Sequence, residues 1–168
     1  MQNIHLIGII AENKNIPFIK EMLNFKLNNK DIFYINNKNL DNLKNIRFDV
    51  IVIFNSAEKI IQKKEQLKYI IEKAKWIILN SDIKENLDII QNLTLNVITF
   101  GFHSKATITT SSIGEREILV CIQRNIKIEK NNIIEPQEIK IKSNKKEINE
   151  NAVSIMGVVI LEKMCQKR

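Results

Sequence analysis

The segment Ile10-Ala11-Glu12-Asn13-Lys14-Asn15-Ile16-Pro17 holds the residues most able to do chemistry at the first place to look for it, the link between the first apolar strand and the first helix. A loop there that cradles phosphates reads Gly-x-x-x-x-Gly-Lys-Ser/Thr. Its glycines let backbone N–H groups wrap the anion, its Lys reaches the β/γ-phosphates, and its hydroxyl holds Mg²⁺. This segment has no Gly, so the cradle conformation is costly. Ile16 has no hydroxyl, and Glu12 brings a negative charge to the place a phosphate would occupy. Asn13, Lys14 and Asn15 remain as the polar groups that could meet an anion at a helix start. Further along, Asn55, Asn80 and Asp82 end apolar runs, and Asn151 stands in the first turn of the last helix. These four are equally suited to turns and caps, and Asp82 and Asn149 precede helices as caps do. Gly101-Phe102-His103-Ser104-Lys105 reads as an exposed turn in which His103 and Lys105 could share an anion. Gln123 and Arg124 read as surface residues of a strand.

Metal and thiol chemistry find little footing. Cys121 and Cys165 sit in apolar runs with no second ligand at metal spacing, and His5 and His103 have no Cys or His neighbour. No catalytic residue and no metal ligand is assigned.

The elements that must position these residues alternate. IHLIGII at 4–10, DIFYI at 31–35, FDVIVIF at 48–54, KWIILN at 75–80 and LNVITF at 95–100 read as strands, several apolar enough to be buried on both faces. Between them lie a helix opened by Ile16-Pro17, an amphipathic helix over about 57–73, and a short helix over 84–93. The expectation is an α/β domain with a parallel sheet and flanking helices over 1–101. A small antiparallel meander follows over 102–146, from ATITTSSI, EILVCIQRNI and IIEPQEIKIK, with Pro136 at an edge or bulge. A closing helix spans 147–168, with Ala152, Ile155, Met156, Val159, Ile160 and Met164 on its buried face. The 168 residues suit one domain.

The formal net charge of +7 follows a sequence rich in Ile, Lys and Asn, residues with AT-rich codons. No aromatic–basic interleaving of the kind that stacks bases is present, so nucleic acid is not the expected partner. No apolar stretch reaches the length of a membrane span, and the start, MQNIHLIGII, lacks the basic region of a signal peptide. The expected location is the cytoplasm.

Five stretches, in order, resemble the central, ATPase-like domain of the Mur ligase family of amide ligases. These are LIGIIAENKNIPFIKEML (6–23), FDVIVIFN (48–55), IILNSD (77–82), VITFGFHSKATITTSSI (97–113) and NENAVSIMGVVILEKM (149–164). The resemblance implies a P-loop NTPase-like fold that binds ATP and Mg²⁺, with Asn80 and Asp82 near the nucleotide base. The departures fall on the chemistry. Aligned on Gly8, Ala11 and Lys14 stand where the family has P-loop glycines, Asn15 where it has Lys, and Ile16 where it has Thr. Lys59 and Ile60 stand where it has Asp-His, and no counterpart of its Mg²⁺-binding Glu or of its flanking domains is found. The reading is a degenerate stand-alone form: a pseudoenzyme with vestigial nucleotide-site positions Asn13, Lys14, Asn15, Asn55, Asn80, Asp82 and Asn151. ATP and Mg²⁺ are not the expected cofactors, and the partner would be a protein or a cell-wall precursor. Two alternatives stay open. One is a residual ATP-binding ligase-like subunit; the other is a basic domain that binds nucleic acid or an anionic surface.

Overall fold

A computed structural model describes residues 4–27, 31–55, 62–129, 132–142 and 148–166. The elements run β1 (Leu6–Ile10), α1 (Ile16–Lys26), β2 (Asp31–Tyr34), a 3-10 turn (Leu40–Leu43), β3 (Val50–Ile53), α2 (Lys64–Glu72), β4 (Trp76–Asn80), α3 (Lys84–Ile90) and β5 (Val97–Phe100). Then come β6 (Ile108–Ile113), β7 (Glu117–Ile122), β8 (Ile126–Glu129), β9 (Asn132–Ile134), β10 (Gln137–Lys142) and α4 (Ile148–Cys165). The expected positions Lys59 and Ile60, and the expected start of the second helix, lie outside the described residues.

Eight strands form one sheet in the order β10-β7-β6-β5-β4-β3-β1-β2, and β8 and β9 pair as a separate antiparallel hairpin. The strands from β1 to β5 are mutually parallel. Strand β7 runs antiparallel to its neighbours β6 and β10, and the three extend the same sheet instead of leaving it. The expected 117–126 strand ends at Ile122, and the chain turns into the hairpin at Ile126. Between the two halves runs a thin seam. Strands β5 and β6 share one bridge, Phe100 with Ile108. The Thr107 N–H adds a bond to Thr99 Oγ1 at 3.0 Å, and the Gly101 N–H one to the Ile108 carbonyl at 3.1 Å.

Alternation across the pleat sends side chains to two cores. Val50, Val52, Phe54, Ile78, Ile98 and Phe100 face α1 and α4. Ile51, Ile53, Ile77 and Leu79 face α2, α3 and the 3-10 turn. Both faces of the parallel strands are thus covered by helices, as their continuous apolar sequence requires. Helix α4 exceeds its expected one-sided burial. Ile148, Ser154, Gly157, Val158 and Leu161 are buried with the expected Ala152, Ile155, Met156, Val159, Ile160 and Met164. It packs on α1 and on β4, β5, β6 and β7, so it is wrapped on most sides and spans the seam.

At the amino end of the sheet Asp49 ties three segments together. Its carboxylate accepts the N–H groups of His5 at 2.9 Å and Leu6 at 3.0 Å, and it takes the Lys75 ammonium.

Candidate functional site

In an open parallel sheet, ligands gather beyond the carboxyl ends of the strands, at the point where the strand order reverses. Here that point lies between β1 and β3: the chain leaves β1 for β2 on one side and returns to β3 on the other. The loops at this end are 11–15 after β1, Asn55 after β3, Ser81–Asp82 after β4 and 101–107 after β5.

The first loop is closed on itself. The Asn15 N–H donates to the Glu12 carbonyl at 2.9 Å, forming a turn instead of a row of amides open to an anion. Asn15 caps α1 by position but makes no side-chain cap bond, and Pro17 removes one amide from the first turn. The Glu12 carboxylate sits at the reversal point, where it pairs with Lys14 at 2.8 Å and receives a hydrogen bond from Asn55. The Lys14 bond holds the Glu12 carboxyl below the usual range. Partial burial opposes that shift, and the Lys14 charge and the Asn55 bond add to it. A phosphate brought here would meet a standing negative charge whose cation is already taken. Lys63, another ammonium at this end, is also committed, to Asp41 at 2.8 Å and to the Asn37 carbonyl at 3.4 Å. Asn13 is exposed on the loop. Asn151 meets Lys14 and Asn15 across an open cleft between the starts of α1 and α4, which Glu21 and Glu150 also line.

Asn80 and Asp82 organise protein, as residues that end strands often do. Buried Asn80 accepts the Asp82 N–H through Oδ1 at 3.0 Å, the side-chain turn expected of it. Asp82 departs from its expected role as a cap: α3 starts from Ile83 with no side-chain cap bond. Its carboxylate instead accepts the N–H groups of Phe102 at 2.7 Å and His103 at 3.4 Å, across from the next loop. Gly101 is what lets the loop come so close, since a Cβ there would stand 2.7 Å from Asp82 Cγ. Gln123 and Arg124, exposed as expected, hold the loop from its other side by donating to the carbonyls of Ser104, Lys105 and Ala106. Replacing Asp82 with Ala is therefore expected to free the loop. Amide exchange at Phe102 should rise roughly tenfold or more, the scale of a lost charge-assisted bond, while β4 keeps its protection. Unchanged exchange at Phe102 would show that Asp82 does not hold it.

Ser81, His103 and Asp82 lie close enough to raise the question of a nucleophile with its base. His103 Nε2 is 2.9 Å from Ser81 Oγ and 4.0 Å from Asp82 Oδ1. The Lys105 N–H, however, donates to His103 Nδ1 at 3.2 Å. A neutral ring accepting at Nδ1 carries its proton on Nε2, so it donates to Ser81 and has no lone pair there to remove a proton. Ser81 in turn donates to the Phe100 carbonyl at 3.3 Å. The arrangement is a chain of donors that fixes a loop.

One residue at this end escaped the sequence reading. Asn86, fully buried on α3, donates to the Asn80 carbonyl at 2.9 Å and the Phe54 carbonyl at 3.4 Å, bridging the ends of β3 and β4. Its signal is a polar residue three and four positions before Ile89 and Ile90, on the face where an apolar side chain belongs. Asn86→Ala would leave two buried carbonyls short of a donor. A loss of about 1–3 kcal/mol is expected in urea unfolding, and a smaller one would mean water replaces the amide.

Among the described residues no group of three His, Cys, Asp or Glu is placed to hold a metal ion, and no helix is long and apolar enough to cross a membrane.

No protein-family model and no curated protein matches the chain. Solved structures do. UDP-N-acetylmuramate-alanine ligase MurC from Thermotoga maritima aligns over 95% of this chain with a TM-score of 0.58 and 12% identity. The fold is Mur-ligase-like. MurF ligase from Thermotoga maritima, solved in complex with ADP, aligns over 96% of this chain with a TM-score of 0.52 and 11% identity. The Mur-ligase-like chain spans less than half the length of either structure, 41% of MurC and 45% of MurF. At such identity the likeness concerns the path of the backbone. The alignments run over almost the whole of this chain, while nearly nine in ten aligned side chains differ.

Proposed function

We propose that this Mur-ligase-like domain acts by binding and not by phosphoryl transfer, with a protein or a cell-wall precursor as its partner at the carboxyl end of the sheet. The observation that carries this reading is Glu12 at the strand-order reversal, paired with Lys14 and Asn55 in a loop that contains no glycine. Transfer chemistry is almost wholly positioning and charge stabilisation, and here the charge is of the wrong sign and Lys14 and Lys63 are engaged. The loops at this end are held firmly by Asp82, Asn86, Gln123 and Arg124, which suits a preorganised recognition surface. On this reading the chain is a degenerate form of its fold. Purified protein given ATP and Mg²⁺ is expected to release no phosphate. Turnover that persists through further purification and is lost in Lys14→Ala would overturn the proposal.

A second reading, a residual nucleotide-binding subunit of a ligase, draws on the open cleft that brings Lys14, Asn15 and Asn151 together. It requires that nucleotide affinity fall when Lys14 is replaced with Ala.

A further inference from the structure

We propose that the cleft at the amino end of the sheet, opposite the loops described above, binds a small planar organic anion of the nucleoside monophosphate kind. Segments remote in sequence meet there: Arg47 ahead of β3, Lys75 and Trp76 entering β4, Asn96 ahead of β5, and Lys127 and Glu129 on β8. The cleft measures about 470 Å³, within the span of roughly 300–1,000 Å³ typical of small-ligand sites. Its floor is fixed by backbone bonds. The N–H groups of Lys75 and Trp76 donate to the carbonyls of Phe48 and Asp49 at 3.3 and 3.1 Å. The Ile77 N–H donates to the Asn96 carbonyl at 2.9 Å. The Asn96 side chain donates to the Lys75 carbonyl at 3.0 Å. Trp76 is half-buried against the core, so its indole is held by packing behind it while it lines the cleft.

The charges are unequal in what they are free to do. Lys75 is neutralised by Asp49, and Glu129 has an interaction of its own. Arg47 and Lys127, both exposed, have no ion-pair partner among the described residues. Two uncommitted cations lining the same cleft as a packed indole offer charge-assisted bonds to a phosphate and a flat surface to a ring. The sequence hides this pairing of aromatic and basic groups, because it forms only when the strand starts are brought together.

Trp76 is the only tryptophan, so its fluorescence reports on this cleft alone. Titration of the full chain with adenosine 5′-monophosphate is expected to change that fluorescence saturably. Arg47→Ala with Lys127→Ala should weaken the apparent affinity by roughly tenfold or more, the scale of one to two charge-assisted bonds. Adenosine, which lacks the phosphate, should not saturate over the same range. Both substituted side chains are exposed, and an unchanged thermal midpoint confirms that the double variant is folded. No fluorescence change, equal affinity in the double variant, or equal binding of adenosine would each overturn the assignment. Because the readout is binding at the amino end, it stands or falls separately from ATP turnover at the carboxyl end.

Discussion

Gly157→Ala is expected to destabilise the protein by about 2 kcal/mol, although alanine is the better helix former by about 1 kcal/mol. Gly157 lies in the middle of α4 where the helix crosses Phe54 and Phe100. A Cβ would overlap the Phe54 ring, standing 2.9 Å from its Cζ, and would come within 3.1 Å of Phe100 Cζ. Both rings are fully buried and lock edge to face at 5.6 Å, so neither can swing aside. Overpacking a filled core costs about 1–3 kcal/mol and sometimes more, which outweighs the propensity gain. The thermal midpoint should fall by roughly 4–8 °C for a domain of this size. Phe54→Leu in the same chain should recover part of that loss, a coupling that two independent sites would not show. A Gly157→Ala protein as stable as the parent would mean the helix stands further from the sheet than described.

Asp49→Asn should cost about 2 kcal/mol at neutral pH and progressively less in acid. Burial disfavours the Asp49 charge, but the Lys75 bond, the His5 and Leu6 N–H groups and the Lys75 charge together outweigh it and hold the carboxyl below its ordinary 3.8. Its folded value is therefore depressed relative to the unfolded chain. The stabilisation is present above the unfolded value and is lost as pH falls through the folded one. The window thus opens just below pH 4 and extends downward. Asn at this position keeps an acceptor for one N–H and loses the ion pair. The pair is partly open to solvent, which is why the expected loss is modest beside that of a sealed one. Urea unfolding of both proteins at pH 7 and near pH 3 gives the comparison. A difference that does not shrink in acid would assign the effect to shape and not to charge.

What could be read in advance follows from how local each cause is. The runs around VIVI and WIILN are apolar on both faces, and that alone marks buried parallel strands flanked by helices. The alternation in ATITTSSI, EILVCI and QEIKIK marks strands too, but alternation does not say which neighbour each will pair with. That these three extend the main sheet depends on contacts distant in sequence. The breadth of α4's burial was only half legible, since Ser154 and Gly157 look like an outer face, yet both are buried and Gly157 lies against Phe54 and Phe100 of the sheet. At the carboxyl end, the missing glycines and the Glu12 charge were plain. The bond from Asn55 to Glu12 was not, for it requires β1 beside β3. Asp82 looked like a cap because Asp commonly caps, yet its partner Phe102 lies twenty residues on. Position on a strand end was readable; the recipient of the side chain's bonds was not.

The thin seam between β5 and β6 has a kinetic meaning. One bridge and a pair of threonines join the parallel half to the antiparallel half, and α4 lies across both like a splint. Cooperative units in a protein divide where few bonds cross, so the molecule should open in two stages. In native-state hydrogen exchange, the amides of β6, β7 and β10 should exchange together at a lower free energy than those of β1, β3 and β4. Their release should coincide with that of α4, whose departure uncovers β6 and β7. Helix α4 is therefore the latch between the two halves: while it stays seated they hold together, and its release opens the antiparallel half first.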